Sequence, residues 1–97
     1  MGQCPQARVD LRVVDLGSEL MVCDDRKRLV HILNSTARRI WDLCDGTHQI
    51  DEISLEVSRL FPEQSPEVVR RDVESALTAL GENEMIAWVG EARQAQD

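Results

Sequence analysis

The chain has 97 residues, enough for one small domain but too few for a second core or a large enclosed cofactor pocket. Its 11 basic and 18 acidic side chains give a net charge of −7, which argues against general affinity for nucleic acid or for an anionic membrane. No apolar run approaches the roughly 20 residues of a membrane-spanning helix, no secretory signal is evident, and the three cysteines are scattered, so we predict a cytoplasmic protein.

The N-terminal part of the chain carries the period-two pattern of strands. Residues 1–7 predict a flexible tail, and apolar and polar residues alternate from Val9 onward. After the turn at Gly17-Ser18, residues 20–23 and 29–33 form two further short apolar runs. Three strands joined by tight turns predict an antiparallel meander.

Helical spacing replaces this pattern after Asn34, which is a candidate N-cap for a first helix. A second helix begins near Asp51 and ends at Pro62, and a third begins with Ser65 as cap and Pro66 at its first position. Residues 85–89 predict a short closing strand, and residues 90–97 a second flexible tail. The predicted fold is α+β, with a three-stranded antiparallel sheet followed by a three-helix bundle over residues 8–89.

No pattern for catalysis or metal binding emerges from the sequence. Zinc sites need ligands two to four residues apart, whereas the candidate ligands here are widely separated: Cys4, Cys23, His31, Cys44 and His48. The sequence also lacks a nucleophile elbow, a redox cysteine pair and a phosphate loop. We therefore predict a protein that is not an enzyme and that holds no metal and no cofactor.

Several side chains have two interpretations. His31 is either a partly buried, hydrogen-bonded residue or a group that faces a partner. Trp41 shares a face with other apolar residues and is expected to anchor the core, whereas Trp88 is either a core residue or an exposed anchor for a partner. The pairs Arg38-Arg39 and Arg70-Arg71 are either solvated helix surface or partners of carboxylates.

The third predicted strand raises a functional question. Residues 29–33 contain no proline and no acidic residue, lysine or arginine that would protect an exposed edge. If this strand lies at an edge, it is a template to which an extended peptide adds as another strand. The alternative is that a helix or the closing segment covers it.

Charge is divided unevenly along the chain. Residues 1–44 hold seven basic and six acidic side chains, a net of +1, and residues 45–97 hold four basic and twelve acidic, a net of −8; the two sum to −7. We therefore expect an acidic peptide to meet the near-neutral N-terminal half first.

A fourteen-residue stretch at the strand-to-helix junction resembles a signature of the PqqD-like family, also called RiPP recognition elements. The family pattern is Leu-Asn-x-Thr-Ala-x-x-Ile-Trp-x-Leu-x-Asp-Gly, and the matching residues are Leu33-Asn34-Ser35-Thr36-Ala37-Arg38-Arg39-Ile40-Trp41-Asp42-Leu43-Cys44-Asp45-Gly46. The resemblance extends over about residues 9–89. In this family the signature is commoner among standalone members that serve peptide pathways other than quinone synthesis. The family's usual glycine before its closing apolar pair is replaced by Glu84, so we expect Asn83 to supply the left-handed residue that ends the third helix.

The resemblance implies a winged helix-turn-helix domain that binds the leader segment of a ribosomally made precursor peptide and presents it to a peptide-modifying enzyme. The leader would lie beside the third strand, in a groove between that strand and the third helix. Carried onto this sequence, the resemblance implies main-chain contacts from Leu29, Val30, His31 and Ile32. The implied groove residues are Val69, Val73, Ala76 and Leu77, with Arg70 at the rim as a contact for an acidic leader side chain.

Two other functions remain open at this point. A winged helix with two arginines on its recognition helix is compatible with a DNA-binding regulator, although the acidic residues of the second and third helices would face phosphates unfavourably. A homodimer that pairs its own third strands would need no peptide ligand.

Overall fold

The computed structural model describes residues 3–90, which form five strands and three helices. In chain order they are β1 (Gln3–Ala7), β2 (Arg12–Asp15), β3 (Leu20–Asp24), β4 (Leu29–Leu33), α1 (Ser35–Asp42), α2 (Ile50–Leu60), α3 (Pro66–Glu82) and β5 (Ile86–Gly90). The predicted α+β class, with three antiparallel strands followed by three helices, is confirmed.

Strands β2, β3 and β4 form an antiparallel sheet in that order, so β4 lies at an edge. The register pairs Leu20 with Leu33 and Val22 with His31 across β3 and β4. The first strand of this sheet, β2, begins at Arg12 rather than at Val9, which lies in a turn and is 93% exposed. The alternation at residues 9–11 therefore marks the turn that leads into the sheet.

A second sheet, formed by β1 and β5, was not predicted. Residues 3–7 were expected to be part of a flexible tail, but they pair antiparallel with β5, and Cys4 and Pro5 are buried. The Ala7 N–H donates to the Cys44 carbonyl (2.8 Å), and the Gly46 N–H donates to the Pro5 carbonyl (3.0 Å). Residues 3–7 therefore belong to the folded part. The C-terminal boundary, predicted after residue 89, lies at least one residue later, because Gly90 belongs to β5. Residues 91–97 of the second predicted tail lie outside the described residues.

Local signals set the helix ends. The Asn34 side chain accepts from the Ala37 N–H (2.8 Å) at the start of α1, and Ser65 caps α3 with Pro66 in its first turn, as predicted. At the end of α3, however, the expectation that Asn83 is the left-handed residue is wrong. Asn83 has φ −88°, and the left-handed residue is Glu84, with φ 59°. The Met85 N–H donates to the Leu80 carbonyl and the Glu84 N–H to that of Gly81, the two bonds of a Schellman motif.

The core lies between the three-stranded sheet and the helices. Trp41 is buried, which confirms its predicted role as a core anchor. The other buried members of this cluster come from every helix, from β3, β4 and β5, and from the loops: Leu11, Leu20, Val22, Leu33, Ile40, Leu43, Cys44, Ile53, Val57, Val69, Val73, Leu77, Leu80, Met85 and Ile86. The core packs against one face of the three-stranded sheet, and the outer edge of β4 has no neighbouring strand among the described residues.

Candidate functional site

Strand β4 presents a free, apolar edge. No other strand within residues 3–90 pairs with its outer side, because the closing strand β5 pairs with β1 instead. Val30 is 60% exposed and Ile32 is 53% exposed, and Leu29 is also exposed. Alternation along the strand places Leu33 on the buried face and Val30 and Ile32 on the opposite one. The edge therefore offers unpaired main-chain groups and accessible apolar side chains together.

His31 is partly buried within this edge strand. Its Nε2 atom is shielded from solvent and has no hydrogen-bond partner among residues 3–90. The expected partly buried histidine is therefore present, but without a partner at Nε2. An unpaired buried polar atom is costly, so His31 is a local source of instability in the free domain.

A depression of about 450 Å³ separates α1 from α3 and starts where β4 ends. Asn34, the residue directly after β4, forms part of its wall. The remaining lining residues come from α1 and from one flank of α3: Thr36, Ala37, Ile40, Asp72, Ser75, Ala76 and Ala79. We call this depression the α1–α3 groove. Small side chains on both walls leave room for the side chains of an extended peptide.

The structure divides the apolar α3 residues between the core and the groove. Val69, Val73 and Leu77 are buried in the core, and of the four predicted groove residues only Ala76 lines the groove. The groove is formed by the flank of α3 next to the core stripe, where the residues are small or polar. Val73 and Leu77 are thus buried in the core and do not line this groove.

Arg70 lies on the other flank of α3. Its guanidinium pairs with Asp51 and, at 3.2 Å, with Glu74, and the hydrogen bond to Asp51 raises the pKa of Arg70. At about 100° per residue, Arg70 lies about 180° around the helix from Ala79, so it does not reach the α1–α3 groove. It lines a separate surface with Trp88, which is 38% exposed and thus is not a core residue.

A small cavity of about 50 Å³ adjoins the α1–α3 groove and shares Thr36 and Asp72 with it. Its other lining residues are Val57, Phe61, Gln64 and Val69. The cavity therefore combines an apolar floor with a polar mouth. Val69, although mostly buried, contributes to this floor.

Arg38 fixes the sheet against α1, a role that the sequence left open. Its guanidinium donates to both carboxylate oxygens of Asp15 (2.8 and 3.0 Å) and to the carbonyls of Gly17 and Glu19. The hydrogen bonds from Arg38, followed by that from the Gly17 N–H, hold the pKa of Asp15 well below its usual range. This contact ties the β2–β3 turn to the helix that follows β4.

The described residues hold no metal-binding cluster. No group of three or more metal-ligating side chains comes together within residues 3–90. All three cysteines are buried, and burial, with a smaller contribution from Asp45, raises the pKa of Cys44 to about 12. Over the same residues, no helix is long and apolar enough to cross a membrane.

Comparisons with known proteins agree with this fold. The solved structure of TbiB1 in complex with the TbiA(beta) leader peptide has a TM-score of 0.76 to this chain at 20% sequence identity. The match covers 90% of this chain and 98% of that chain, and it confirms the expected winged-helix arrangement. A comparison with curated proteins gave no match. The family model of coenzyme PQQ synthesis protein D (PqqD) matches residues 19–86, well over half of the sequence, and the chain therefore belongs to the PqqD family.

Proposed function

We propose that this protein binds the leader segment of a ribosomally synthesised precursor peptide as an added strand beside β4. The observation that carries the proposal is the unpaired edge of β4, with Val30 and Ile32 exposed, at the entrance to the α1–α3 groove. TbiB1, which shares the fold, forms a complex with a leader peptide, and this supports the same role here.

Strand addition explains how so small a domain binds an extended chain. Main-chain hydrogen bonds along Leu29, Val30, His31 and Ile32 supply affinity that does not depend on the peptide's sequence. Alternate side chains of the added strand then point to opposite faces of the sheet. One of these two sets lies towards the α1–α3 groove, where Ala76 and Ala79 leave space.

Our proposal makes the protein a binding module rather than a catalyst. It holds the peptide and presents it to a separate modifying enzyme, which raises the effective concentration of the peptide at that enzyme. The enzyme would need a docking surface away from the groove. We propose the part of the acidic helical half that lies away from the groove, because residues 45–97 carry a net charge of −8, from four basic and twelve acidic side chains.

The two alternative functions make different demands on the same surfaces. A DNA-binding regulator would insert α3 into the major groove of DNA. No observation favours this, and the exposed side chains of Glu67, Asp72 and Glu74 on that helix would face the phosphates unfavourably. A homodimer would bury β4 against a second β4 and exclude the leader. Sedimentation at several protein concentrations, with and without peptide, separates the dimer from the peptide-bound monomer.

A backbone N-methylation scan tests strand addition without altering the protein. The probe is a synthetic peptide that binds the protein and perturbs the amide chemical shifts of residues 29–33, with one amide methylated at a time. Because an added strand directs only every second N–H toward its neighbour, we expect affinity to fall at alternate positions along about five residues. Methylation at the intervening positions is the built-in control. Uniform sensitivity, or none, would contradict strand addition at β4.

A further inference from the structure

Asp72 is the charged residue that the structure places at the candidate binding surface. It lines both the α1–α3 groove and the small cavity beside it, and its side chain is exposed. No ion pair or hydrogen bond joins the Asp72 carboxylate to another residue within 3–90. Glu74, on the opposite flank of α3, is by contrast paired with Arg70.

The electrostatic character of the groove follows from this placement. None of the described residues that line the groove or the small cavity is a lysine, arginine or histidine. Arg70, which the sequence placed at the rim, lies on the far side of α3 with its charge neutralised by Asp51 and Glu74. The groove therefore has a negative rather than a positive contact to offer a peptide.

The shape of the small cavity specifies the complementary side chain further. Val57, Phe61 and Val69 form an apolar floor, and the Asp72 carboxylate stands at the mouth beside Thr36 and Gln64. Lysine and arginine combine an aliphatic stem with a terminal cation, and they bury the stem while the charge remains at a polar surface. A short apolar side chain would gain nothing from the exposed carboxylate, and an acidic one would be repelled by it.

We propose that Asp72 is a specificity-determining residue that pairs with a lysine or arginine side chain of the bound leader. This inference rests on the proposed function and narrows it to leaders with a basic residue opposite Asp72. It reverses the charge expected from the sequence, because the arginine predicted to meet an acidic side chain does not face the groove.

A random library of displayed peptides provides the probe, because it presupposes no leader sequence. Binders selected on the wild-type chain are first sorted by amide chemical shifts, and only those that perturb residues 29–33 are kept. We expect these binders to be enriched in lysine or arginine at one position. Selection on Asp72→Lys should instead enrich aspartate or glutamate at the same position.

A double-mutant cycle on one selected peptide gives the magnitude. Asp72→Asn should weaken binding of the lysine-containing peptide about three- to fivefold, the range of a partly exposed ion pair, and leave its alanine variant unaffected. Glu74→Gln removes the same charge from the opposite flank of α3 and should change neither affinity. Unchanged melting temperatures show that the variants are folded, as expected for an exposed position.

The outcomes separate the inference from the function on which it rests. Binders that perturb residues 29–33 without any preference governed by residue 72 would overturn the role of Asp72 and leave leader binding intact. A complete absence of binders at residues 29–33 would overturn both. An equal loss from Glu74→Gln would attribute the effect to overall charge and would also overturn the specific role of Asp72.

Discussion

Helix α3 has a buried stripe that packs in the core and a flank that lines the α1–α3 groove. Substitutions in the stripe and on this flank should separate folding stability from peptide affinity. Val73 is 0% exposed in the core, whereas Ala79 lines the α1–α3 groove and is exposed. We therefore expect Val73→Ala to lower the free energy of unfolding without weakening the folded domain's affinity for the leader. Ala79→Gln should do the reverse.

The magnitude for Val73→Ala follows from its complete burial. Removing two methyl groups forfeits about 1.6 kcal/mol of transfer free energy. The cavity that remains, of roughly 40 Å³, costs about 1 kcal/mol more if the neighbours do not collapse into it. A loss of about 2.5 kcal/mol lowers the melting temperature by roughly 10–20 °C in a domain of this size. The variant should still fold at 25 °C, because such domains have about 5–15 kcal/mol of stability.

The partner substitution adds bulk where the peptide is proposed to lie. Glutamine has a helix propensity close to that of alanine, so Ala79→Gln should shift the melting temperature by no more than about 3 °C. Its longer side chain occupies groove volume and should weaken leader binding about tenfold, as overpacking does elsewhere. Val73→Glu is unsuitable as a groove probe, because it would bury an unpaired charge and unfold the domain.

Urea denaturation followed by circular dichroism gives the stability, and fluorescence anisotropy with a labelled leader gives the affinity. Both are measured at 25 °C, where each variant is folded. A loss of affinity in Val73→Ala at unchanged stability would show that Val73 faces the ligand, contrary to its burial. Wild-type affinity in Ala79→Gln would show that the peptide does not use this groove.

Three further substitutions test local features of the fold. Asn34→Ala removes the N-cap of α1 and should cost about 1 kcal/mol in urea denaturation, with Asn34→Ser as the conservative control. Glu84→Gly relieves a left-handed residue with φ 59° and should raise the melting temperature by about 4 °C, whereas Glu84→Ala, which keeps the conformation, should not. Burial of Asp45 raises its pKa, but hydrogen bonds from Thr47 and His48 outweigh this and lower the pKa to about 2. Because the pKa of Asp45 is lower in the folded state, its carboxylate should stabilise the fold above pH ~4. The melting temperature, measured at a series of acidic pH values, should exceed that of Asp45→Asn above this pH. The difference should disappear as the pH falls through 2.

Local signals made most of the fold predictable from the sequence. Asn34, Ser65 and Pro66 lie at the helix starts that their capping chemistry indicates, and short apolar runs between turn signals located β3 and β4. The sequence does not predict strand β1, because Gln3–Ala7 offers little apolar alternation and its partner β5 is about 80 residues away in the sequence. Such long-range pairing leaves no local trace in the chain.

The candidate site was predictable in part for a related physical reason. The resemblance and the unprotected sequence of residues 29–33 both indicated β4, which does lie at an edge. Helical periodicity identified the buried stripe of α3, but it treats both flanks of that stripe as exposed surface. Arg70 and Asp72 are about 200° apart on the helix, and only the tertiary position of α1 determines which of them faces the groove.

The division between main-chain and side-chain contacts has a consequence for selectivity. Main-chain pairing along β4 would accept almost any extended peptide without proline, so it supplies affinity but little discrimination. The groove walls add small side chains such as Ala76 and Ala79, which select for size rather than for identity. Discrimination by charge then falls to Asp72, the charged group in the lining. Asp72→Asn removes only charge recognition. It should therefore lower the ratio of the affinities for basic and acidic leaders, whereas the affinity for a neutral leader should change much less.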